Sequence, residues 1–485
     1  MQESSWSQNS DSLSEFSLEN PELAQEEQGI AEDLRNQGIL PSEPNSLLPS
    51  FPHHLYRGRR GKAAVALTII WGGTISLHLV SWGAWVIWGL TGLLWIQAFR
   101  VLLARPKPTP PPLNEATQEN WPYISLLVAA KNEEAVIGDL VKTIASLDYP
   151  TNRYELWVID DYSVDKTPEI LAQLKSVYPQ LRVFRREANA VGGKSGALNQ
   201  VLPLTKGEIL GVFDADAIVT PDLLRRVLPL FEREEVGAVQ VRKAIANASL
   251  NFWTRGQESE MALDSFFQQQ RTAIGGIGEL RGNGQFVRRS ALDSCGGWNE
   301  ETITDDLDLT IRLHLDQWDI EFLAFPPVSE EGVTTTKALW HQRNRWAEGG
   351  YQRYLDYWRL IFRNLMGTGK TWDLFGFCVT QYLLPTAAIP DALMSILFRR
   401  LPITTPLTVM TITLSLVGMF VGLRRTRRDM KLAENNVFVN LWPTLRGTFY
   451  MLHWLIVMGS VTARISVRPK QLKWVKTIHQ GSDSA

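Results

Sequence analysis

The stretch from Ala63 to Leu103 constrains the fold most, because it contains no Asp, Glu, Lys or Arg before Arg100. One helical crossing of a bilayer needs about 20 apolar residues, so this stretch is long enough for two crossings. Basic residues precede it at 57–62 and follow it at 105–107. Because Lys and Arg concentrate on the cytoplasmic side, the sequence predicts a two-helix transmembrane hairpin (63–103) with both ends cytoplasmic.

Apolar stretches return near the end of the chain, at roughly 373–397, 404–423 and 447–464. They predict C-terminal transmembrane helices within 371–465 and a basic cytosolic tail over 466–485. Charged side chains are costly at membrane depth, so Asp391 and Arg446 should contact protein, water or an interface. Basic runs at both ends of the last stretch favour the cytoplasm, and whether it crosses the membrane or lies in the interface stays open.

Composition narrows the class of protein. Residues 1–55 are rich in Ser, Glu, Asn and Pro and predict a disordered, acidic tail without the features of a secretory signal. A net charge of -2 gives no general basic surface, so we expect no nucleic-acid partner. The two cysteines, Cys295 and Cys378, are too far apart in sequence to indicate a disulfide framework or zinc site. The 18 tryptophans are typical of membrane interfaces.

A Pro-rich linker (104–120) leads into a region, 121–335, in which short apolar runs alternate with helical patterns. The runs resemble buried parallel strands, and they cover 123–130, 154–161, 181–186 and 208–216. Strands that alternate with helices predict a doubly wound α/β domain. In such sheets ligands bind beyond the carboxyl ends of the strands.

Acidic side chains follow two of these predicted strands. Asp160 and Asp161 end one strand, and Asp214 and Asp216 end another. A single Asp after a strand is also a common turn former, but two clusters at strand exits favour a site. Oxygen ligands of this kind suit Mg²⁺ or Mn²⁺, with other coordination positions left for diphosphate oxygens.

A glycine-rich segment, "GGKSGALN" (192–199), lies between the two acidic clusters. Its glycines permit close approach of the backbone to a ligand, and Lys194 could meet a phosphate. The spacing is not that of a P-loop, and an ordinary glycine turn that opens a helix remains an alternative.

These segments form an ordered set with "AAKNEE" (129–134), "GNGQ" (282–285), "GGW" (296–298), "TDDLD" (304–308) and "QRNRW" (342–346). The set resembles the membrane-bound family 2 glycosyltransferases, the group that includes cellulose and hyaluronan synthases. The resemblance implies a glycosyltransferase A-type domain over 121–335, interfacial helices over 336–370, and flanking membrane helices. It also implies a UDP-sugar donor, a divalent metal and a catalytic domain on the cytoplasmic side of the membrane.

The resemblance further implies roles for individual residues. On the donor side it implies nucleotide or diphosphate contacts for Asp160, Asp161, Lys194, Asp214 and Asp216, with Asp214 and Asp216 as metal ligands. On the acceptor side Asp306 takes the place of the catalytic base, and Asp305 stands where Glu is usual. Arg345 would stabilise the leaving diphosphate, and Gln342 and Trp346 would border the acceptor.

Two acceptors remain possible. A processive synthase extends a β-linked polysaccharide, whereas a lipid glycosyltransferase adds one sugar to a membrane lipid. The compact chain, its acidic leader and its basic tail resemble most the family members that transfer glucose from UDP-glucose to diacylglycerol, and we favour this function. An inert membrane scaffold that senses a nucleotide sugar is a third alternative, and the presence of Asp306 and "QRNRW" argues against it. The sugar, the metal and the oligomeric state stay open.

Overall fold

The computed structural model describes residues 56–431 and 436–468. The predicted acidic tail, and all but the first three residues of the predicted basic tail, lie outside the described residues. Seven strands form one mixed sheet in the order β3-β2-β1-β4-β6-β5-β7. Their bounds are β1 Ile124–Ala130, β2 Tyr154–Asp160, β3 Leu181–Arg185, β4 Ile209–Phe213, β5 Val236–Ile245, β6 Gln285–Arg288 and β7 Asp319–Glu330.

Four neighbouring strands of this sheet, β3, β2, β1 and β4, run parallel, as the apolar runs predicted. All residues of β1 and β4 are buried, which explains why both read as continuous apolar sequence. The sheet is not wholly parallel, since β6 runs antiparallel to β4 and β5. The α/β prediction is confirmed, and the parallel register brings the carboxyl ends of β1, β2 and β4 to one edge.

Fifteen α-helices surround the sheet or pack beside it within the described residues. In chain order they are α1 Arg59–Leu79, α2 Gly83–Leu103, α3 Ile137–Ala145, α4 Thr167–Val177, α5 Gly193–Val201, α6 Leu223–Val227, α7 Phe252–Ala273, α8 Arg289–Ser294, α9 Asp305–Leu315, α10 Thr336–Phe362, α11 Thr368–Cys378, α12 Leu384–Phe398, α13 Thr405–Asp429, α14 Val437–Met451 and α15 His453–Val467.

Four segments of the described chain are long and apolar enough to cross a membrane: α1, α2, α13 and the bent pair α14–α15. The first two form the predicted hairpin, and a Cβ at Gly83 would lie 1.9 Å from the Leu77 carbonyl oxygen. The turn therefore requires glycine at that position. The apolar stretch near 373–397 is helical throughout, with a π-helical turn (Val379–Leu383) where α11 passes into α12.

Buried side-chain contacts fix the two ends of α1. At its start, the Arg59 guanidinium donates to both carboxylate oxygens of Asp356 on α10. At its other end, the His78 imidazole lies 2.7 Å from Asp391, whose carboxylate also accepts from the backbone of Ile403. The α1–α2 turn and the α12–α13 loop therefore lie together, at the end of the membrane helices that is farther from the catalytic domain. Asp391 contacts protein, as expected.

The segment α14–α15 contacts α7 of the catalytic domain in its first half and the interfacial helix α10 in its second half. The Tyr450 ring packs on Gly256 of α7, where an added Cβ would come within 2.3 Å of the ring. Near the other end, Arg464 donates to Asn344 of α10 at 3.0 Å. Between these two contacts the segment also packs on α12, where the Thr462 hydroxyl lies 3.1 Å from that of Thr386. We therefore expect both ends of α14–α15 on the catalytic-domain side of the membrane.

This placement predicts which positions a membrane-impermeant maleimide reaches. In a background with Cys295 and Cys378 replaced by alanine, Arg60→Cys, Lys431→Cys and Val467→Cys should all label from one side. Trp85→Cys, at the exposed hairpin tip, should label only from the opposite side. Labelling of Lys431→Cys and Val467→Cys from opposite sides would show that α14–α15 crosses the membrane.

Candidate active site

A cavity of about 790 Å³ lies beyond the carboxyl edge of the parallel strands and continues between the membrane helices. Eight of the ten side chains predicted for the site line it: Lys194, Asp214, Asp216, Asp305, Asp306, Gln342, Arg345 and Trp346. They come from α5, the segment after β4, α9 and α10. Segments far apart in sequence therefore meet in one space, as the order of motifs implied.

Lys194 and Asp214 form an ion pair on the cavity wall. The Lys194 ammonium donates to Asp214 at 2.6 Å from the first turn of α5. Gly192, with φ of +86°, starts that turn and leaves no room for a Cβ beside Glu300. Burial opposes the charged form of Asp214, but the ammonium outweighs it and lowers the pKa of that carboxyl to about 2. Asp214 is therefore an anion at neutral pH.

Asp216 lies in an acidic environment. Its carboxylate accepts a hydrogen bond from the Glu331 backbone at 2.8 Å. Burial, together with the charges of Glu330 and Asp214, raises the pKa of Asp216 to about 7. A divalent cation would relieve this repulsion. Within 56–431 and 436–468 no group of three or more His, Cys, Asp or Glu residues could hold a metal ion. The carboxylate oxygens of Asp214 and Asp216 are of the type that Mg²⁺ and Mn²⁺ prefer, and their role as metal ligands stays a prediction.

Asp306 lies in the first turn of α9. Its Oδ1 accepts from the Leu307 backbone at 2.8 Å. Its Oδ2 would lie 3.4 Å from a Cβ at Gly282, a glycine with φ of +82° in the "GNGQ" segment. Burial, followed by the neighbouring charge of Asp305, raises the pKa of Asp306 to about 6. The carboxyl is therefore largely deprotonated at neutral pH yet basic enough to accept a proton.

Arg345 and Trp346 enter the cavity from α10. The charges of Asp214, Asp306 and Asp305 all act on the Arg345 guanidinium and oppose the lowering of its pKa by burial. A cation also faces the Trp346 ring, because the Lys243 ammonium lies 5.3 Å from the ring centroid. Cationic side chains thus surround the same space as the carboxylates, which suits a ligand that carries phosphate.

Asp160 and Asp161 do not line the cavity. Asp161 accepts from Arg186 at 2.6 Å and from Lys131 at 3.2 Å. Asp160 accepts from the Ser163 backbone at 2.9 Å and so fixes the turn after β2. Both carboxylates are buried and paired, and a nucleotide contact from Asp161 stays a prediction.

Sequence reasoning missed a second ion pair in the cavity. Lys243 of β5 and Glu330 of β7 lie 2.8 Å apart, and both line the cavity beside Asp216 and Trp346. Neither strand was predicted, so no motif pointed to these residues. The signal available in sequence was weak, because a Lys within an alternating strand usually faces solvent.

The amino-acid sequence is similar to those of known proteins. Residues 122–349 match the family described as "Glycosyltransferase like family 2". A protein of Trichormus variabilis named beta-monoglucosyldiacylglycerol synthase is 65% identical over 427 residues, which are 88% of this chain and 90% of that protein. A protein of the same name from Synechocystis is 59% identical over 90% of this chain and 92% of its own.

A solved structure shares the fold at low identity. It is a mannosyltransferase from Pyrobaculum calidifontis in complex with GDP-Man and Mn²⁺, with a TM-score of 0.52 and 19% identity. The match covers 84% of this chain and 99% of that one. Together with the cavity and the ordered motifs, these similarities lead to one conclusion: the chain belongs to glycosyltransferase family 2.

Proposed function

We propose that the protein transfers glucose from UDP-glucose to 1,2-diacylglycerol with inversion and so forms β-monoglucosyldiacylglycerol for glycolipid synthesis. One observation carries the proposal: a single cavity joins Asp306 to apolar side chains of the membrane helices. The name shared by the two relatives above supports the same acceptor.

The apolar end of the cavity suits acyl chains. Its lining includes Leu94 of α2, Met410 and Leu414 of α13, and Leu455 and Met458 of α15. Diacylglycerol carries one reactive hydroxyl and two hydrocarbon chains, so it needs a charged reaction centre and an apolar wall in the same space. A growing polysaccharide would instead need a polar path away from the centre, and this lining does not favour that alternative.

Each residue around the reaction centre has a separate role in the transfer. Asp306 takes the proton of the acceptor hydroxyl as that oxygen attacks the anomeric carbon of the donor. Lys194 and Arg345 stabilise the negative charge that develops on the departing diphosphate. Asp214 and Asp216 would hold Mg²⁺ or Mn²⁺, which would neutralise part of that charge. One displacement inverts the anomeric centre, so an α-linked donor gives a β-glycoside, and Gln342 and Trp346 border the acceptor.

The donor indicates on which side of the membrane the catalytic domain lies. UDP-sugars are cytosolic metabolites, so we infer that the catalytic domain faces the cytoplasm, with Arg59 and Asp356 at the cytoplasmic ends of the membrane helices. The basic residues before α1 agree with this orientation.

Product analysis tests the proposed acceptor. Membranes that contain the full chain, labelled UDP-glucose, Mg²⁺ and diacylglycerol should yield one labelled lipid that co-migrates with monoglucosyldiacylglycerol. Label in a high-molecular-weight, hydrolase-sensitive polymer would contradict the proposal in favour of a processive synthase. Membranes that carry Asp306→Asn control for transfer by host enzymes.

Replacement of the base should separate turnover from donor binding. Asp306→Asn removes the proton acceptor but keeps the shape of the side chain, and a general base contributes about 10²–10⁴-fold. We expect turnover to fall within that range while UDP-glucose binding, measured by equilibrium dialysis, stays unchanged. An equal loss of donor binding would show that Asp306 is not simply a base.

The pH dependence should follow the carboxyl of Asp306. The deprotonated form is the active one, so the turnover rate should fall about tenfold per pH unit once the pH drops below about 6. Asp305→Asn removes a neighbouring negative charge, which should lower the pKa and move this acidic limb to lower pH. The control is Asp139→Asn, an exposed residue outside the cavity. A limb that does not move in Asp305→Asn would assign it to another group.

A further inference from the structure

Arg343 is the second residue of "QRNRW" and, of the two arginines in that segment, the one that does not line the cavity. Its side chain is fully buried, with 0% exposure. A buried guanidinium is costly unless it is paired, so its contacts indicate what it does. Those contacts fall into two groups, one on the acceptor side of the site and one on the membrane side.

On the acceptor side, Arg343 contacts both motif residues that line the cavity there. Its Nη1 donates to the side-chain oxygen of Gln342 at 2.8 Å. Its guanidinium also stacks on Trp346, with Cζ 4.1 Å from the ring centroid. A planar cation that meets an amide and an indole together restricts the rotation of both side chains.

On the membrane side, Glu260 of α7 holds Arg343. Its Oε2 accepts from Nη2 of Arg343 at 2.5 Å, and its other oxygen accepts from the Trp454 indole at 2.8 Å. The Tyr450 hydroxyl completes the group, because it lies 3.1 Å from both Glu260 and Arg343. Tyr450 and Trp454 belong to α14 and α15, and Trp454 itself lines the cavity.

We propose that Arg343, held by Glu260, Tyr450 and Trp454, is a positioning residue that fixes Gln342 and Trp346 for the lipid acceptor. This proposal depends on the proposed function only for the identity of the acceptor. The group links side chains beside the reaction centre to helices that would contact acyl chains. Displacement of α14–α15 would therefore move the acceptor side of the cavity and leave Lys194 and Asp214 in place.

The main variant is Arg343→Lys, which keeps the charge but loses the planar stack and the second set of donors. We expect kcat/KM for diacylglycerol to fall about 10- to 100-fold, the range for residues that orient functional groups. The KM for UDP-glucose should not change. Tyr450→Phe, which removes one hydroxyl and keeps the ring, should produce a smaller fall in the same parameter.

A double variant separates positioning from stability. Arg343→Met alone leaves Glu260 buried without its ion-pair partner, whereas Arg343→Met with Glu260→Leu replaces both charges by apolar groups, which is often neutral for stability. We expect the double variant to recover part of the thermal midpoint, because Tyr450 and Trp454 still lose Glu260 as a hydrogen-bond partner, but not kcat/KM for diacylglycerol. Arg59→Lys is the matched control, because Arg59 forms a buried ion pair with α10 outside the cavity.

Three outcomes would overturn the proposal: unchanged kinetics in Arg343→Lys, an equal loss for donor and acceptor, or recovery of turnover in the double variant. The same acceptor-specific loss in Arg59→Lys would also overturn it, because that result would indicate a general structural effect. Failure of the proposed function is seen separately, because the wild-type product would then not be a glucolipid. In that case the variants are compared on the acceptor that the wild type does use.

Discussion

The packing of the catalytic domain against the membrane helices depends on the buried carboxylate of Glu279. It is fully buried and accepts from Arg353 at 2.6 Å, Arg281 at 2.8 Å and Arg271 at 3.4 Å. A buried carboxylate costs several kcal/mol unless it is paired, so Glu279 requires these cations close by. They belong to α10, the loop before β6 and α7, and a single anion therefore fixes three segments around the cavity.

The same network extends to the hairpin. Arg271 donates to Asp373 of α11 at 2.7 Å, and Gln97 of α2 donates to the other oxygen of Asp373 at 3.2 Å. Polar contacts thus reach from the loop beside Asp306 to a helix that is apolar enough to cross the membrane. This continuity allows one cavity to have carboxylates at one end and methionine and leucine at the other.

Sequence reasoning succeeded where the signal was local. The strands β1 to β4 are short apolar runs. Five of the eight predicted site residues that line the cavity follow a strand or start a helix, and the other three belong to the "QRNRW" segment inside α10. Sequence reasoning failed for β5, β6 and β7. The strand β6 has only four residues, and β7 contains Pro326 and Pro327, which argue against a strand. The pair Lys243–Glu330 depends on the pairing of β5 with β7, which no local pattern encodes.

Other differences between sequence and structure also concern contacts distant in sequence. Asp160 and Asp161 follow a strand as a nucleotide ligand would, but the pairing of Asp161 with Arg186 and Lys131 had no signal in sequence, and the nucleotide contact of Asp161 stays a prediction. The role of Arg343 could not be predicted, since its partner Glu260 lies 83 residues earlier and Tyr450 lies 107 residues later.

The position of Tyr450 and Trp454 has a consequence for biosynthesis. The last donor-side carboxylate is Asp216, and Asp306 and Trp346 follow before α11 begins. Tyr450 comes 107 residues after Arg343. A ribosome that has finished the glycosyltransferase domain has therefore made the donor side, the base and the Glu260–Arg343 pair, but not Tyr450 and Trp454, which also bond to that pair. The acceptor side is completed only when α14 and α15 dock, so a nascent chain acquires its complete lipid site after the donor site has been made.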